Sequence, residues 1–152
     1  LMDVPISNVV RAMHHAITMT QRDFLTKISG AERSGSTVTV AVVFRDIIVV
    51  ANVGDSRAVL CCDASGAAIA LTEDHTPVLQ TERRRVEAAG GFIAEGQTLR
   101  VNGQLAVTRA IGNAALIHYL SSAPDITVLR RQPRKRDETT SSETTVCKQK
   151  TT

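Results

Sequence analysis

The sequence predicts an α+β fold, because one helical pattern is followed by a series of short strand patterns. In residues 5–28 apolar side chains recur at steps of three, four and seven, as they do on one face of a helix. The chain then becomes rich in β-branched residues, in runs separated by turns such as Gly54-Asp55-Ser56. Apolar residues make up 43% of the 152, which is enough for a hydrophobic core.

Four strand patterns follow the first helix, and the connections between them are short. Antiparallel hairpins are therefore expected, since a parallel crossover needs about a dozen residues or more. In the first run the alternation predicts one shared face, formed by Val38, Val40, Val42 and Phe44. The runs are residues 36–44, 47–53, 57–62 and 67–71.

A second helix is predicted at residues 79–89, with Val86 and Ala89 facing inward and the arginines at 83–85 lying mostly outside. Asn102-Gly103 is typical of a tight hairpin. The remaining strands are expected near residues 92–94, 98–101, 104–107 and 126–130.

The chain divides at about residue 130 into a domain, residues 1–130, and a polar, basic tail, residues 131–152. Residues 130–152 hold seven Lys/Arg and three acids, a net +4, whereas residues 1–129 carry −1. Such a tail is expected to be disordered, and without interleaved aromatic residues it gives no reason to expect specific nucleic-acid binding. No apolar run reaches the ~20 residues that span a bilayer, so no membrane segment is expected.

The three cysteines, Cys61, Cys62 and Cys147, match neither a zinc site nor a disulfide framework. Reduced thiols in an intracellular protein, cytoplasmic or nuclear, are the simplest interpretation, and a monomer is expected.

Several short segments occur in an order that is characteristic of one enzyme family. The longest of them is residues 100–112, and Glu82, Arg85-Val86 and Gly90-Gly91, which precede it, fit the same pattern. The segments are residues 34–37 (SGST), 51–59 (ANVGDSRAV), 71–77 (LTEDHTP), 100–112 (RVNGQLAVTRAIG) and 123–126 (APDI). In this combination the chain resembles the metal-dependent protein serine/threonine phosphatases of the PPM type, the protein phosphatase 2C family.

The resemblance implies part of a two-sheet antiparallel β-sandwich flanked by helices. In that family two Mg²⁺ or Mn²⁺ ions lie in a cleft at one edge of the sandwich, and a metal-bound water attacks phosphoserine or phosphothreonine in proteins. Such hard cations take oxygen ligands and lower the pKa of bound water.

Much of the family's metal site has no counterpart in this sequence. The family's Asp-Gly-His-Gly motif does not occur, and no apolar strand ending in Asp-Gly follows residue 130. We therefore expect a domain truncated at both ends, with no catalytic residue identified and no activity for the chain alone. Two alternatives stay open: a pseudophosphatase that binds or regulates, and a non-functional gene fragment.

Within the matching segments, the resemblance implies roles for two residues. Asp55 corresponds to the position of a third, weaker metal ion, although aspartate is also common in turns. Arg109 corresponds to an arginine near the phosphate, although a structural pairing with a carboxylate is equally compatible. Loop packing is favoured for His75, and Asn113 replaces the family's usual Asp. Ser36 and Ser56 have no predicted general base, which disfavours a serine nucleophile.

Overall fold

A computed structural model describes residues 5–44, 46–61, 67–131 and 146–150, with the backbone alone at residues 131 and 146–150. Two helices, ten strands and one 3-10 turn (Ala114–Leu116) lie within these ranges. The helices are α1 (Ile6–Lys27) and α2 (Gln80–Ala88). The strands are β1 (Gly35–Ser36), β2 (Val38–Phe44), β3 (Ile47–Val53), β4 (Val59–Cys61), β5 (Ala68–Ala70), β6 (Ile93–Ala94), β7 (Arg100–Val101), β8 (Ile111–Gly112), β9 (Asp125–Arg131) and β10 (Val146–Lys150).

The main sheet is antiparallel, with strand order β10-β9-β3-β2. Its central strand β3 is apolar along most of its length, and residues 49–53 are buried. This continuous run suits a strand that is covered on both faces. On one face Val49, Ala51 and Val53 pack with Met13 and Ile17 of α1. The other face is covered by the β4–β5 hairpin and its flanks, where buried side chains include Val50, Leu71 and Leu129.

Helix α1 and the β2–β3 hairpin confirm the sequence prediction closely. Every residue of β2 is paired with β3, from Val38 opposite Val53 to Phe44 opposite Ile47. The predicted shared face of β2 is only partly correct. Val38 and Val42 pack against the core, whereas Val40 and Phe44 are each 40% exposed. Among the described strands β2 pairs with β3 alone, so its side chains have fewer neighbours than those of β3.

The predicted hairpins are confirmed for β2–β3 and for β4–β5, but the expected pairing of β3 with β4 is wrong. The second neighbour of β3 is β9, with Val49 opposite Val128, and β4 pairs with β5 outside this sheet. The reason is the turn after Val53, which takes the chain out of the sheet instead of back along β3. A further pairing, Gly35 with Gly112, joins β1 to β8 and had no predictive signal.

The predicted disorder of residues 131–152 is wrong for Val146–Lys150. These residues form β10, with Val146 opposite Arg131 and Lys150 opposite Thr127. The outer edge of β9 carries backbone N–H and C=O groups, and a polar strand can pair with these as well as an apolar one can. Residues 132–145 and 151–152 of the predicted tail lie outside the described residues. The domain boundary at residue 130 stays a prediction.

No helix in the described ranges has both the length and the apolar character that crossing a membrane requires.

Candidate functional site

The turn that follows β3, residues 54–57, brings Asp55 to the surface. Asp55 is exposed, while Val53 and Gly54 before it are buried. Gly54 adopts φ +102°, and a Cβ at this position would overlap the Thr37 side chain. A glycine is therefore needed here both for the backbone angle and for the space. Asp55 thus lies where the sequence predicts it, on a turn whose first residue must be glycine.

Two buried side chains hold Gly54 in place. The Asn52 side-chain amide donates to the Gly54 carbonyl (3.1 Å), and the backbone N–H of His75 donates to the same oxygen (3.0 Å). In return the Gly54 N–H donates to Nδ1 of His75 at 3.1 Å. His75 is fully buried, which confirms the prediction of loop packing.

The hydroxyl groups next to this turn make hydrogen bonds within the chain. The Thr37 and Ser56 hydroxyls lie 2.7 Å apart, and the Thr39 hydroxyl donates to the Asn52 side chain at 2.6 Å. The Ser36 hydroxyl donates to the Thr37 carbonyl at 2.9 Å. Neither serine is joined to a histidine in these contacts.

A second polar group centres on Glu82 of α2, which is 3% exposed. Its Oε1 accepts from Nε and Nη2 of Arg109 at 3.1 and 2.6 Å. Its Oε2 accepts from Nη2 of Arg85 at 3.0 Å and from the Thr108 hydroxyl at 2.8 Å. Burial by itself raises the pKa of Glu82, but the hydrogen bonds from Arg109 and Thr108 outweigh it and lower the pKa to about 2. Glu82 is therefore a charged anchor at neutral pH.

Asp125, the first residue of β9, joins the two groups. Its Oδ1 accepts from Nη1 of Arg109 at 2.8 Å, and its Oδ2 lies 3.4 Å from Nε2 of His75. The second contact lacks the alignment of a good hydrogen bond. The His75 side chain and the Arg109 guanidinium together hold the pKa of Asp125 well below its usual range, although partial burial opposes this.

Arg109 therefore makes the structural pairing that the sequence left open. Its guanidinium bonds Glu82, Asp125 and the Ala123 carbonyl, and its side chain is 15% exposed. The role near phosphate stays a prediction.

Sequence reasoning missed the parts played by Glu82, Asp125 and Arg85. Glu82 was one matching position among many, and the only available signal was an acid on the same helical face as Val86. The predictions for α2 were also wrong at two positions. Arg85 turns inward to Glu82 and to the Thr108 and Tyr119 carbonyls, while Ala89 is exposed. The Arg85 side chain faces inward because its guanidinium has several N–H donors and can bond several buried oxygens at once.

Comparison with known proteins identifies the family. The sequence model described as Protein phosphatase 2C matches residues 5–139. The chain belongs to the protein phosphatase 2C family. It is 43% identical over 122 residues to "Probable protein phosphatase 2C 59" of Arabidopsis thaliana, covering 80% of this chain and 39% of that protein. It is 44% identical over 121 residues to "Probable protein phosphatase 2C 45" of Oryza sativa subsp. japonica, covering 80% and 42%. The chain thus spans about two fifths of the length of these relatives.

Two solved structures share the fold. A serine-threonine phosphatase 2C from Toxoplasma gondii superposes with a TM-score of 0.62 at 20% identity, covering 86% of this chain and 54% of that one. A C. elegans sex-determining protein superposes with a TM-score of 0.60 at 29% identity, covering 75% and 30%. The predicted fold class, part of the α+β sandwich of the PPM phosphatases, is confirmed.

The protein phosphatase 2C metal pair does not fit the described residues of this chain. They contain no group of three or more His, Cys, Asp or Glu side chains that could hold an ion. Near the Asp55 turn, Asp74 already accepts from Nε and Nη2 of Arg57 at 2.7 and 2.6 Å, and hydrogen bonds from Arg57 lower its pKa. Asp55 can thus offer one carboxylate to an ion, which is less than a complete site.

Asn113, where the family usually has Asp, has a conformational explanation. It adopts the left-handed backbone region with φ 51° and ψ 53°, immediately before the 3-10 turn. Asparagine tolerates this region better than most residues. Its backbone N–H donates to the Ser34 carbonyl at 2.7 Å, which continues the contact between β1 and β8.

Proposed function

We propose that this chain is part of the catalytic domain of a Mg²⁺- or Mn²⁺-dependent protein serine/threonine phosphatase. Its substrates would be proteins carrying phosphoserine or phosphothreonine. The observation that carries the proposal is the family match over residues 5–139, together with the shared fold. We place the protein inside the cell, in cytoplasm or nucleus, as a monomer.

Within such a domain, the chain's own residues would act as a scaffold for the cleft. Asp55 would present one carboxylate for the third, weaker ion. Arg109, already bonded to Glu82 and Asp125, would fix the segment that contains residues 108–112 against α2 and β9. No step of phosphate hydrolysis is assigned to this chain alone, and we expect it to be inactive by itself.

A chimaeric enzyme tests the phosphatase assignment. Residues 5–131 of this chain would replace the corresponding segment of an active protein phosphatase 2C. We expect hydrolysis of a phosphothreonine peptide to persist with Mn²⁺ and to stop with EDTA. A chimaera that folds but has no turnover would contradict the assignment.

The inactivity of the single chain needs its own assay. The 152-residue protein would be incubated with para-nitrophenyl phosphate and with a phosphothreonine peptide, at millimolar-scale Mn²⁺. The matched control is the Asp55→Ala variant, prepared in the same host. EDTA-sensitive turnover in the parent that falls in the variant would overturn the expectation of inactivity. Equal turnover in both that also appears in a mock purification from the same host would indicate contamination by a host phosphatase.

A binding module, the pseudophosphatase alternative, is favoured by one observation. Acidic side chains around the site are matched with arginines, Asp74 with Arg57 and Glu82 with Arg109, so the fold is held without a metal. This alternative predicts that the chain binds a phosphothreonine peptide without hydrolysing it, and a calorimetric titration distinguishes the two functions.

A further inference from the structure

We propose that His75 is a positioning residue that holds the 54–57 turn through Nδ1, and so determines where the Asp55 carboxylate is presented. The importance of Asp55 rests on the proposed function, whereas the effect on the turn does not. His75 lies in the segment between β5 and α2, and its side chain reaches back to Gly54.

The hydrogen bonds define the state of the imidazole ring. Nδ1 accepts from the Gly54 N–H, so it carries no proton, and the proton of the neutral ring is on Nε2. Nε2 faces the Asp125 carboxylate at 3.4 Å. The ring thus accepts a hydrogen bond from the 54–57 turn through Nδ1, while Nε2 lies near β9 without a well-aligned hydrogen bond.

His75 also contacts the same region through its backbone. Its N–H donates to the Gly54 carbonyl at 3.0 Å, and its carbonyl accepts from the Thr108 N–H at 2.9 Å. Substitution of the side chain leaves these bonds possible. The contribution of Nδ1 can therefore be measured separately from that of the loop backbone.

The Gly54 carbonyl, the Ser56 hydroxyl and the Arg57 guanidinium each have another partner, whereas the Gly54 N–H depends on Nδ1 of His75. Asp55, Ser56 and Arg57 are exposed, while Gly54 is the buried residue that precedes them. The Gly54 N–H is satisfied by Nδ1, and without an acceptor it would be a buried, unpaired donor. The turn would then reorient to find another partner, and the carboxylate at the next residue would move with it.

The first measurement uses the wild-type chain. Long-range ¹H–¹⁵N spectra of ¹⁵N-labelled protein report which ring nitrogen carries the proton. We expect the form protonated on Nε2 for His75 and a Gly54 amide that exchanges slowly with solvent. A His75 ring protonated on Nδ1 would overturn the proposal.

The second measurement compares two variants of the full 152-residue chain. His75→Asn keeps a short side-chain acceptor for the Gly54 N–H, whereas His75→Leu keeps apolar volume without one. We expect Gly54 amide exchange to accelerate about tenfold or more in His75→Leu. In His75→Asn it should stay within about threefold of the wild type, with β3 amides unchanged. Equal acceleration in both variants, or none in either, would mean that His75 only fills space. If His75→Leu fails to fold, loss of Gly54 protection in folded His75→Asn still overturns the proposal.

A third measurement separates this inference from the proposed function. Mn²⁺ alone is titrated into the wild type while broadening of the Asp55 amide signal is followed. Broadening in the wild type that weakens in His75→Leu supports both claims. If the wild type shows no broadening but the exchange results hold, the metal role of Asp55 fails and the positioning role of His75 stands.

Discussion

Glu82 and Arg109 are joined by two hydrogen bonds to one oxygen, since Nε and Nη2 of the arginine both donate to Oε1, at 3.1 and 2.6 Å. The other oxygen of Glu82 is occupied by Arg85 and Thr108. With Asp125 on the far side of Arg109, two carboxylates balance two guanidinium groups. The cluster connects α2, the segment before β8 and the start of β9, three parts of the chain that share no strand pairing in the described residues.

Removing the charge of Glu82 should strongly destabilise the fold. In Glu82→Gln, two guanidinium groups lose their shared carboxylate in a site with little solvent, and the free energy of unfolding should fall by about 3 kcal/mol. Urea unfolding of parent and variant measures the difference. Glu87→Gln is the matched control on the same helix, because the Glu87 side chain is 45% exposed and pairs with Arg83 at the surface. Equal effects of the two substitutions would contradict the role given to the buried cluster.

The same carboxylate predicts a loss of stability in acid. The pKa of Glu82 is about 2 in the folded chain, against an ordinary value of 4.5, so the unfolded chain takes up the proton first as the pH falls. Its contribution is therefore complete above about pH 4.5 and is lost as the pH falls towards 2. Asp125 contributes with the same sign, because its pKa is also lowered. Urea midpoints measured between pH 6 and pH 3 should fall less steeply in Glu82→Gln than in the parent. Parallel curves for the two proteins would show that Glu82 does not carry this dependence.

Gly54 should tolerate a methyl group much less well than Gly30. Both glycines have positive φ, +102° and +87°, so alanine at either costs about 1–2 kcal/mol in backbone strain. At Gly54 the new Cβ would also overlap the Thr37 side chain, whereas at Gly30 nothing lies within 4 Å. We expect Gly54→Ala to lower the free energy of unfolding by at least about 1 kcal/mol more than Gly30→Ala. Equal losses in thermal melts of the two variants would mean that Thr37 moves aside freely.

The parts of the fold that the sequence predicts are those with local signals. The stripe that contains Met13 and Ile17 defines α1, and the two-residue break after Phe44 brings β2 back against β3. The pairing of β3 with β9 has no such signal, because its partners are separated by more than 70 residues along the chain. Whether a polar segment forms an edge strand depends on an unpaired edge in the assembled sheet. The composition of the segment does not reveal this. This explains why β10 was missed.

The candidate site also has a part that the sequence predicts and a part that it does not. Asp55 could be placed on a turn because Gly-Asp-Ser-Arg separates two apolar runs. The pairing of Glu82 with Arg109 spans 27 positions, and it depends on how α2 packs. An acid and an arginine at that separation are as compatible with two solvated side chains as with a buried pair. Val86 is fully buried and lies one helical turn from Glu82, so both side chains lie on the inward face of α2.

Asp55 should affect metal binding far more than stability. Its carboxylate is exposed at a turn whose conformation is held by Gly54, Asn52 and His75, so Asp55→Ala should change the free energy of unfolding by no more than about 1 kcal/mol. Any Mn²⁺ affinity is expected to be weak, since one carboxylate with waters is a poor site for a hard cation. Calorimetric Mn²⁺ titration and thermal melts of parent and variant measure the two effects.

A second variant makes the Asp55 comparison specific. Asp23 is also an exposed acid, at 49% of its side chain, but it lies on α1 and pairs with Lys27 at 2.8 Å. Asp23→Ala removes the same charge from the chain, so it should leave the Mn²⁺ response unchanged if binding depends on the 54–57 turn. A similar loss of Mn²⁺ response in both variants would point to general electrostatic attraction. If Asp55→Ala melts much lower than the parent and binds Mn²⁺ as the parent does, Asp55 is a structural turn residue, and the metal role is wrong.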